Sequence, residues 1–218
     1  MTDFPLTSRN RVRRLPARAT YDKATIYPII DEALICHVGL ALDGQPFVIP
    51  TIHGRQDDTL FLHGAKASRL LKAIQEGHPI CATFTLVDGL VLARSVFHSS
   101  MNYRSAVVFG VGRLLETPEE QWLALEVITE HVAPGRWQEA RLPTTKELQA
   151  TSVVAIDMAS GSAKIRTGPP ADDEADYALP IWAGVLPLRE ETLSPIPDER
   201  LPEKIGLPPS VRDYNRRG

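Results

Sequence analysis

The sequence lacks long hydrophobic runs and is poor in cysteine. No segment of the 218 residues approaches about 18 consecutive apolar residues, and the opening Met-Thr-Asp-Phe-Pro contains no apolar signal region. A transmembrane helix and a secretory signal are therefore not expected. The two cysteines, Cys36 and Cys81, form no C-x-x-C spacing, which argues against a disulfide framework or a zinc site. These absences predict a protein of the reducing cytoplasm that does not bind membranes.

An excess of positive charge is absent too. The formal net charge is −3, so the chain lacks the broad basic surface that is typical of nucleic-acid binding. The six histidines show neither H-x-x-x-H nor H-E-x-x-H spacing. No metal site is expected, although the sequence leaves open whether His53 and His63 share one face of a sheet.

Two Asp-Gly pairs indicate β-hairpins. Asp43-Gly44 separates the apolar segments 35–42 and 47–52, and Asp88-Gly89 separates 80–87 and 90–97. Residues 53–58 form a longer predicted loop, and further strands are predicted at 59–63, 104–115, 151–158 and 163–166. No G-x-G-x-x-G motif follows a strand. The pattern predicts a mainly β (α+β) fold, a closed or half-closed antiparallel barrel with a few helices, and argues against a doubly wound parallel sheet.

Capping residues mark two of the predicted helices. Asp22 or Thr25 precedes the first helical pattern, and Pro28 restricts where that helix begins. The segment 117–120, Thr-Pro-Glu-Glu, combines a cap, a proline in first position and an acid in third position. The apolar residues of this second helix, expected to face the sheet, are Trp122, Leu125, Ile128 and Val132.

Three parts of the chain differ in composition. Residues 1–19 contain five arginines and form a predicted N-terminal basic arm, and residues 20–190 carry the hairpin and helix patterns of the central domain. Residues 191–218 are rich in proline, which cannot donate a ladder hydrogen bond. We interpret this last part as an extended C-terminal arm.

The stretch from Leu60 to Arg69 ends a strand pattern and begins a helical one. It contains four donors, namely His63, Lys66, Ser68 and Arg69. Unpaired backbone N–H groups and the positive end of the helix dipole favour an anion at a helix start, and cations add charge-assisted hydrogen bonds. The stretch therefore suits a phosphate. The alternative interpretation is a solvated helix start, since donors near helix ends are common.

Several phrases of the chain together resemble one family. They are Cys36-His-Val-Gly39, Ile49-Pro-Thr-Ile-His-Gly54, His98-Ser-Ser-Met-Asn-Tyr-Arg-Ser105 and Trp182-Ala-Gly-Val-Leu-Pro187. With the strand 47–51, the junction 63–69 and the strand 103–110, they make residues 20–190 similar to the FMN-binding split barrels related to pyridoxamine 5'-phosphate oxidase. The most similar branch is that of the flavin-nucleotide-binding proteins, which includes the nitroimidazole-resistance reductases.

This resemblance implies an antiparallel split β-barrel with a few peripheral helices, a homodimer, and one flavin mononucleotide (FMN) at each of two sites along the subunit interface. The residues implied to contact FMN are Val48, Ile49, Pro50 and Thr51 beside the ring, His63, Lys66, Ser68 and Arg69 near the phosphate, and Arg104 and Ser105 against the ring. Ser68 and Arg69 stand where the oxidases have an arginine–lysine pair, so Lys66 is expected to supply the missing cation. Each assignment has an alternative: a core strand for 48–51, a hydrogen bond at a strand end for His63, and an ion pair at the subunit interface for Arg104.

Two functions of different class follow from the resemblance. The first is a flavin-dependent oxidoreductase that acts on a small, flat substrate at the dimer interface and takes electrons from NADH or NADPH. The second is a non-catalytic module that stores flavin or binds a partner. Pyridoxamine phosphate oxidation itself is not expected, because Trp182 is followed by Ala-Gly-Val-Leu-Pro and not by a W-x(5)-R-L-H-D-R type segment. A haem-handling relative is a third alternative, but the chain has no distinctive histidine tail. Lys164 and Arg166 either reach a flavin or pair with the acidic loop 172–176.

Overall fold

The computed structural model describes residues 3–215. Met1 and Thr2 of the predicted N-terminal arm, and residues 216–218 of the predicted C-terminal arm, lie outside them. In the described range the strands are β1 (Ala19–Thr20), β2 (Ile35–Leu42), β3 (Gln45–Ile52), β4 (Gly54–Gln56), β5 (Thr59–Ala65), β6 (Ile80–Leu92), β7 (Ser100–Leu114), β8 (Thr151–Arg166) and β9 (Gly184–Pro187). The α-helices are α1 (Lys23–Glu32), α2 (Arg69–Gln75), α3 (Pro118–Val132), α4 (Arg136–Glu139), α5 (Thr145–Ala150) and α6 (Pro209–Arg212).

The strands form one sheet in the order β3-β2-β6-β7-β8-β5-β4. In addition, β1 pairs with β8 and β9 pairs with β6, both antiparallel. The order places β3 and β4 at the two ends of the sheet. The predicted mainly β (α+β) class with an antiparallel sheet and a few helices is confirmed. No helix among residues 3–215 is both long and apolar enough to cross a membrane.

The described residues form two compact units. Unit 1 contains the chain up to Ala33, Thr83–Val108 and Ser160–Glu190, and unit 2 contains Leu34–Ala82, Phe109–Ala159 and the chain from Glu191 on. The long strands β6, β7 and β8 each contribute residues to both units. The predicted division at residues 19 and 190 stays a prediction.

The hairpin predicted at Asp88-Gly89 is wrong. The strand β6 continues through this pair without a turn, and β9 lies alongside it with Gly89 opposite Pro187. A Cβ atom on Gly89 would lie 2.9 Å from the carbonyl oxygen of Leu186. The glycine therefore allows the close approach of β9, a role that a sequence pattern does not separate from that of a turn glycine.

The hairpin predicted at Asp43-Gly44 is confirmed. Asp43 and Gly44 have φ values of 50° and 78° between β2 and β3, as the favoured two-residue turn requires. The predicted loop 53–58 is in part wrong, because β4 forms a short hairpin with β5. The strands predicted separately at 151–158 and 163–166 are one strand, β8. A Cβ atom on Gly161 within it would lie 3.0 Å from the Phe4 ring, so this glycine makes room for a neighbour and does not end the strand.

The predicted helix starts are confirmed by their caps. The Asp22 side chain accepts a hydrogen bond from the Ala24 N–H at 3.0 Å, and Thr117 and Glu120 form both hydrogen bonds of a capping box. Pro28 lies inside α1, not at its start. Ile128 of the helix α3 is buried in a core cluster with Phe61 and Leu115, whereas Trp122 is only half-buried.

Candidate functional site

The four residues 48–51 lie on β3, at the edge of the sheet. Their side chains alternate: Val48 and Pro50 are exposed, and Ile49 and Thr51 are half-buried. Because β3 pairs with β2 on one side and ends the strand order, its other side has backbone groups that no further described strand pairs with. An edge of this kind can hydrogen-bond the polar rim of a flat ring.

The predicted strand-to-helix junction, residues 63–69, is present. The strand β5 ends at Ala65, and Ser68 caps α2 by accepting a hydrogen bond from the Leu71 N–H at 3.5 Å. The helix has only seven residues, so its dipole contributes little. The favourable charge for a phosphate therefore comes from the exposed side chains of Lys66 and Arg69.

A contact between Arg69 and Phe47 joins the junction to β3. The guanidinium carbon of Arg69 lies 4.4 Å from the centre of the Phe47 ring. This cation–π contact holds the guanidinium against β3 at Phe47, the residue that directly precedes the predicted ring-contacting stretch 48–51. The structure thus brings together the two parts of the predicted site that unit 2 contains.

His63 is half-buried near the end of β5. Burial lowers the pKa of its imidazole below the usual 6.5, so the ring is neutral at pH 7. The Nδ1 atom is buried and has no hydrogen-bond partner in the described part of the chain. A neutral imidazole with a free ring nitrogen can still bond a ligand oxygen or nitrogen.

Arg104 and Ser105 lie in unit 1 and have partners there. Arg104 bonds both Glu32 and Asp88, with Nη2 at 2.9 Å from Glu32 Oε1 and 2.8 Å from Asp88 Oδ1. The hydrogen bonds to Asp88 and then Glu32 raise the pKa of the guanidinium above its usual range. The Ser105 hydroxyl donates to the Lys164 carbonyl at 3.2 Å. Arg104 thus forms ion pairs within its own chain, and both the predicted interface ion pair and the predicted flavin contact stay predictions.

Arg166 does not pair with the acidic loop, which was one of the two predicted alternatives. Arg166 is buried and donates to Asn102 and to the carbonyls of Gly168 and Pro169. In the acidic loop, Asp172 pairs with Arg94 at 3.1 Å. The partners of Arg166 and Asp172 could not be assigned from the sequence, because neither charge nor spacing along the chain gives the distances between side chains.

Sequence reasoning missed a cleft beside the junction. It has a volume of about 720 Å³ and lies between α2, the start of α3 and α5. Its lining residues include Lys66, Lys72, Gln75, Trp122, Thr145 and Gln149. The one sequence feature that points to this cleft is Lys72, which lies six residues after Lys66 and just beyond the donor-rich stretch.

Other chemistry has little support in the described chain. Burial raises the pKa of the Cys36 thiol to about 12, so this thiol stays protonated. Among residues 3–215, no group of three or more His, Cys, Asp or Glu side chains is arranged to hold a metal ion.

The sequence profile described as Pyridoxamine 5'-phosphate oxidase matches residues 22–165, about two thirds of the chain. The chain belongs to this family. Proteins of known structure resemble it over most of its length. A flavocytochrome from Azotobacter vinelandii is 38% identical, with 96% of this chain and 97% of that chain covered and a TM-score of 0.89.

Two further structures extend the comparison. A protein from Mycobacterium smegmatis described as FAD and haem binding is 35% identical, with 90% of this chain and 96% of that chain covered and a TM-score of 0.86. A protein from Bacteroides thetaiotaomicron whose name proposes 5-nitroimidazole antibiotic resistance is 28% identical, with 67% and 86% covered and a TM-score of 0.56. No functionally curated protein matches the chain. The split barrel and the resemblance to the nitroimidazole-resistance branch are confirmed.

Proposed function

We propose that this protein binds a flavin nucleotide and uses it in redox chemistry. The observation that supports this most strongly is the likeness, over nearly the whole chain, to two proteins whose names state a flavin. The unpaired edge of β3 and the cations of the junction are the groups that such a ligand needs. When bound, a flavin supplies the two-electron chemistry, and the protein supplies position, electrostatics and control of water.

On this chain we place the flavin ring along β3 and its phosphate at the junction. Backbone groups of 48–51 would bond the polar rim of the ring, and Lys66 and Arg69 would hold the phosphate. His63, neutral at pH 7, would hydrogen-bond the ribityl–phosphate end. FMN, which the sequence resemblance implies, and FAD, which the mycobacterial relative's name states, share this riboflavin phosphate part.

The working form that we propose is a cytoplasmic homodimer that accepts a small, flat substrate. Unit 1 exposes large apolar side chains, with Val96, Phe97 and Trp182 exposed by 92%, 88% and 68%. Where such groups form a contiguous patch, they favour contact with a second subunit. NADH or NADPH is the electron donor that we expect.

Anaerobic reduction tests the redox proposal. Purified protein loaded with flavin is mixed with NADH or NADPH without oxygen, and the flavin absorption band is followed. Bleaching by either donor supports an oxidoreductase. A protein that binds flavin but is bleached by neither donor would instead be the storage or interaction module.

Haem is a second cofactor that we propose, because two relatives that resemble nearly the whole chain are named as a flavocytochrome and as a haem-binding protein. The chain has a surface suited to a porphyrin, the outer face of the β2–β3 hairpin. Paired residues on this face are Ile35 with Ile52, His37 with Pro50 and Gly39 with Val48. Ile35, His37, Val48, Pro50 and Ile52 are all exposed. An exposed imidazole among apolar side chains is what an axial haem ligand needs.

Spectra test the haem proposal independently of turnover. Protein reconstituted with haem should show a sharp Soret band whose position and electron paramagnetic resonance signal change in His37→Ala. The matched control is His78→Ala, which removes another solvent-accessible histidine, with a side chain 41% exposed, and should leave both signals as they were. Identical spectra for His37→Ala and the unaltered protein would remove His37 as the ligand.

A further inference from the structure

We infer that the cleft beside the junction binds the adenosine phosphate half of a dinucleotide flavin, which makes FAD the preferred cofactor. This inference rests on the proposed function, because it needs a flavin phosphate at Lys66. Lys66 belongs both to the junction and to the lining of the cleft. A ligand whose first phosphate lies between Lys66 and Arg69 would therefore direct a second phosphate into the cleft.

The size of the cleft fits an adenosine monophosphate group. Its volume of about 720 Å³ lies within the range of roughly 300–1,000 Å³ that is usual for sites binding small molecules. FMN ends at the first phosphate, so it would leave this space unused. Only the longer nucleotide has a part that reaches the lining residues beyond Lys66.

The charges of the cleft suit a pyrophosphate. Lys66 and Lys72 lie on the rim of the cleft, and neither forms an ion pair within residues 3–215. One carboxylate, Glu116, also lines the cleft. Two cations against one acid leave a net positive rim, which favours a phosphate group.

A buried donor in the cleft has no partner. The Nε2 atom of Gln75 is buried and makes no hydrogen bond in the described chain, whereas such groups are bonded in most proteins. Gln75 lies on α2, one turn beyond Lys72, and lines the same cleft. An acceptor on a ribose, a phosphate or a purine would satisfy this donor.

An aromatic side chain completes the set. Trp122 is half-buried and lines the cleft, and its ring is held edge-to-face against Trp137 with centres 5.7 Å apart. A fixed indole is a stacking surface for a purine base, and such stacking tolerates any base. The cleft thus has a surface for the base, a donor for the sugar or phosphate, and cations for the pyrophosphate.

Titration of the flavin-free protein with FAD and with FMN tests the inference. Binding followed by flavin fluorescence should be at least about tenfold tighter for FAD, since one extra charge-assisted contact is worth that factor. Lys72→Gln should weaken FAD binding at least about tenfold and leave FMN binding unchanged. The matched control is Lys146→Gln, which removes an exposed lysine of α5 outside the cleft lining and should change neither affinity.

A further pair of variants, at Trp122, separates a loss of FAD contacts from a loss of folding. Trp122→Phe keeps an aromatic ring against Trp137 and should weaken FAD binding less than Trp122→Ala does, with FMN affinity equal in both. Equal affinities for FMN and FAD in the unaltered protein, or an equal loss for both in Lys72→Gln, would overturn the inference while flavin binding stands. A protein that binds neither nucleotide would overturn the proposed function as well.

Discussion

Three arginines of unit 1 have polar partners, whereas the cations around the junction of unit 2 have none in the part of the chain that the structure describes. In unit 1, Arg94, Arg104 and Arg166 each bond a carboxylate, an amide or carbonyls of the same unit. Around the junction of unit 2, Lys66 and Lys72 form no ion pair within the described residues, and Arg69 stacks on a ring. A charge that already has a partner stabilises the fold, whereas an unpaired one retains its capacity to bind a ligand. This difference favours unit 2 for the phosphate and a structural role for Arg104.

The largest expected effect is on flavin binding by the junction. Each charge-assisted phosphate contact is worth about 1.5–3 kcal/mol, so Lys66→Ala with Arg69→Ala should weaken flavin binding by about 3–6 kcal/mol, more than about 100-fold. Fluorescence titration measures the loss. The control is Lys146→Ala with Lys204→Ala, which removes two exposed lysines elsewhere in unit 2. A double variant that keeps its colour and affinity would show that the phosphate binds elsewhere.

The next effect is on the stability of unit 1. Arg104→Met leaves Glu32 and Asp88 facing one another without this cation, at a site where the arginine side chain is 31% exposed. We expect a loss of about 2–4 kcal/mol in the free energy of unfolding, measured by urea denaturation. The folded variant should bind flavin within about twofold of the unaltered protein. A tenfold loss of flavin affinity with unchanged stability would reverse the comparison, since Arg104 would then contact the flavin.

A smaller loss is expected where β9 lies against β6. Gly89→Ala would place Cβ 2.9 Å from the Leu186 carbonyl oxygen and 3.2 Å from a methyl carbon of Val185. Because β9 must shift, unfolding should need about 1–2 kcal/mol less. Gly206→Ala is the control, since nothing lies within 4 Å of its new methyl group. Equal urea midpoints for the two variants would contradict the close approach of β9.

The smallest effect concerns pH and His63. Burial lowers the pKa of this imidazole in the folded chain, so the unfolded chain binds the proton more readily. Its contribution to stability is complete above pH 6.5 and is lost as the pH falls below that value. The variant His63→Gln should therefore have a flatter stability curve between pH 7 and 5 than the unaltered protein. A curve for His63→Gln as steep as that of the unaltered protein would contradict this role of His63.

Sequence patterns correctly predicted those elements that are determined by residues close to one another along the chain. Asp22 and Thr117 form caps with backbone groups two or three residues away, and Asp43-Gly44 forms its turn within four residues. Gly89 could not be placed in the same way. The reason for a glycine there is the carbonyl of Leu186, almost a hundred residues further along the chain, and a local pattern contains no trace of it.

As with the fold, only the part of the site whose residues are neighbours in sequence could be predicted. The donors of the junction are neighbours in sequence, so the amino-acid order alone is enough to group Lys66, Ser68 and Arg69. The cleft could not be predicted, because it joins Lys72 on α2 to Trp122 on α3 and Gln149 on α5. The stacking of Arg69 on Phe47 was likewise beyond sequence reasoning, since the two are 22 positions apart.

The place of β3 at the end of the sheet has a consequence for the solubility of the chain. An unpaired edge strand can recruit a strand from another molecule and start aggregation. Two of the eight residues of β3, Pro46 and Pro50, lack the N–H group that such a ladder needs. The same prolines leave the carbonyl oxygens of the edge in place. Intermolecular β-sheet growth along this edge is thereby impeded even without a cofactor to cover it.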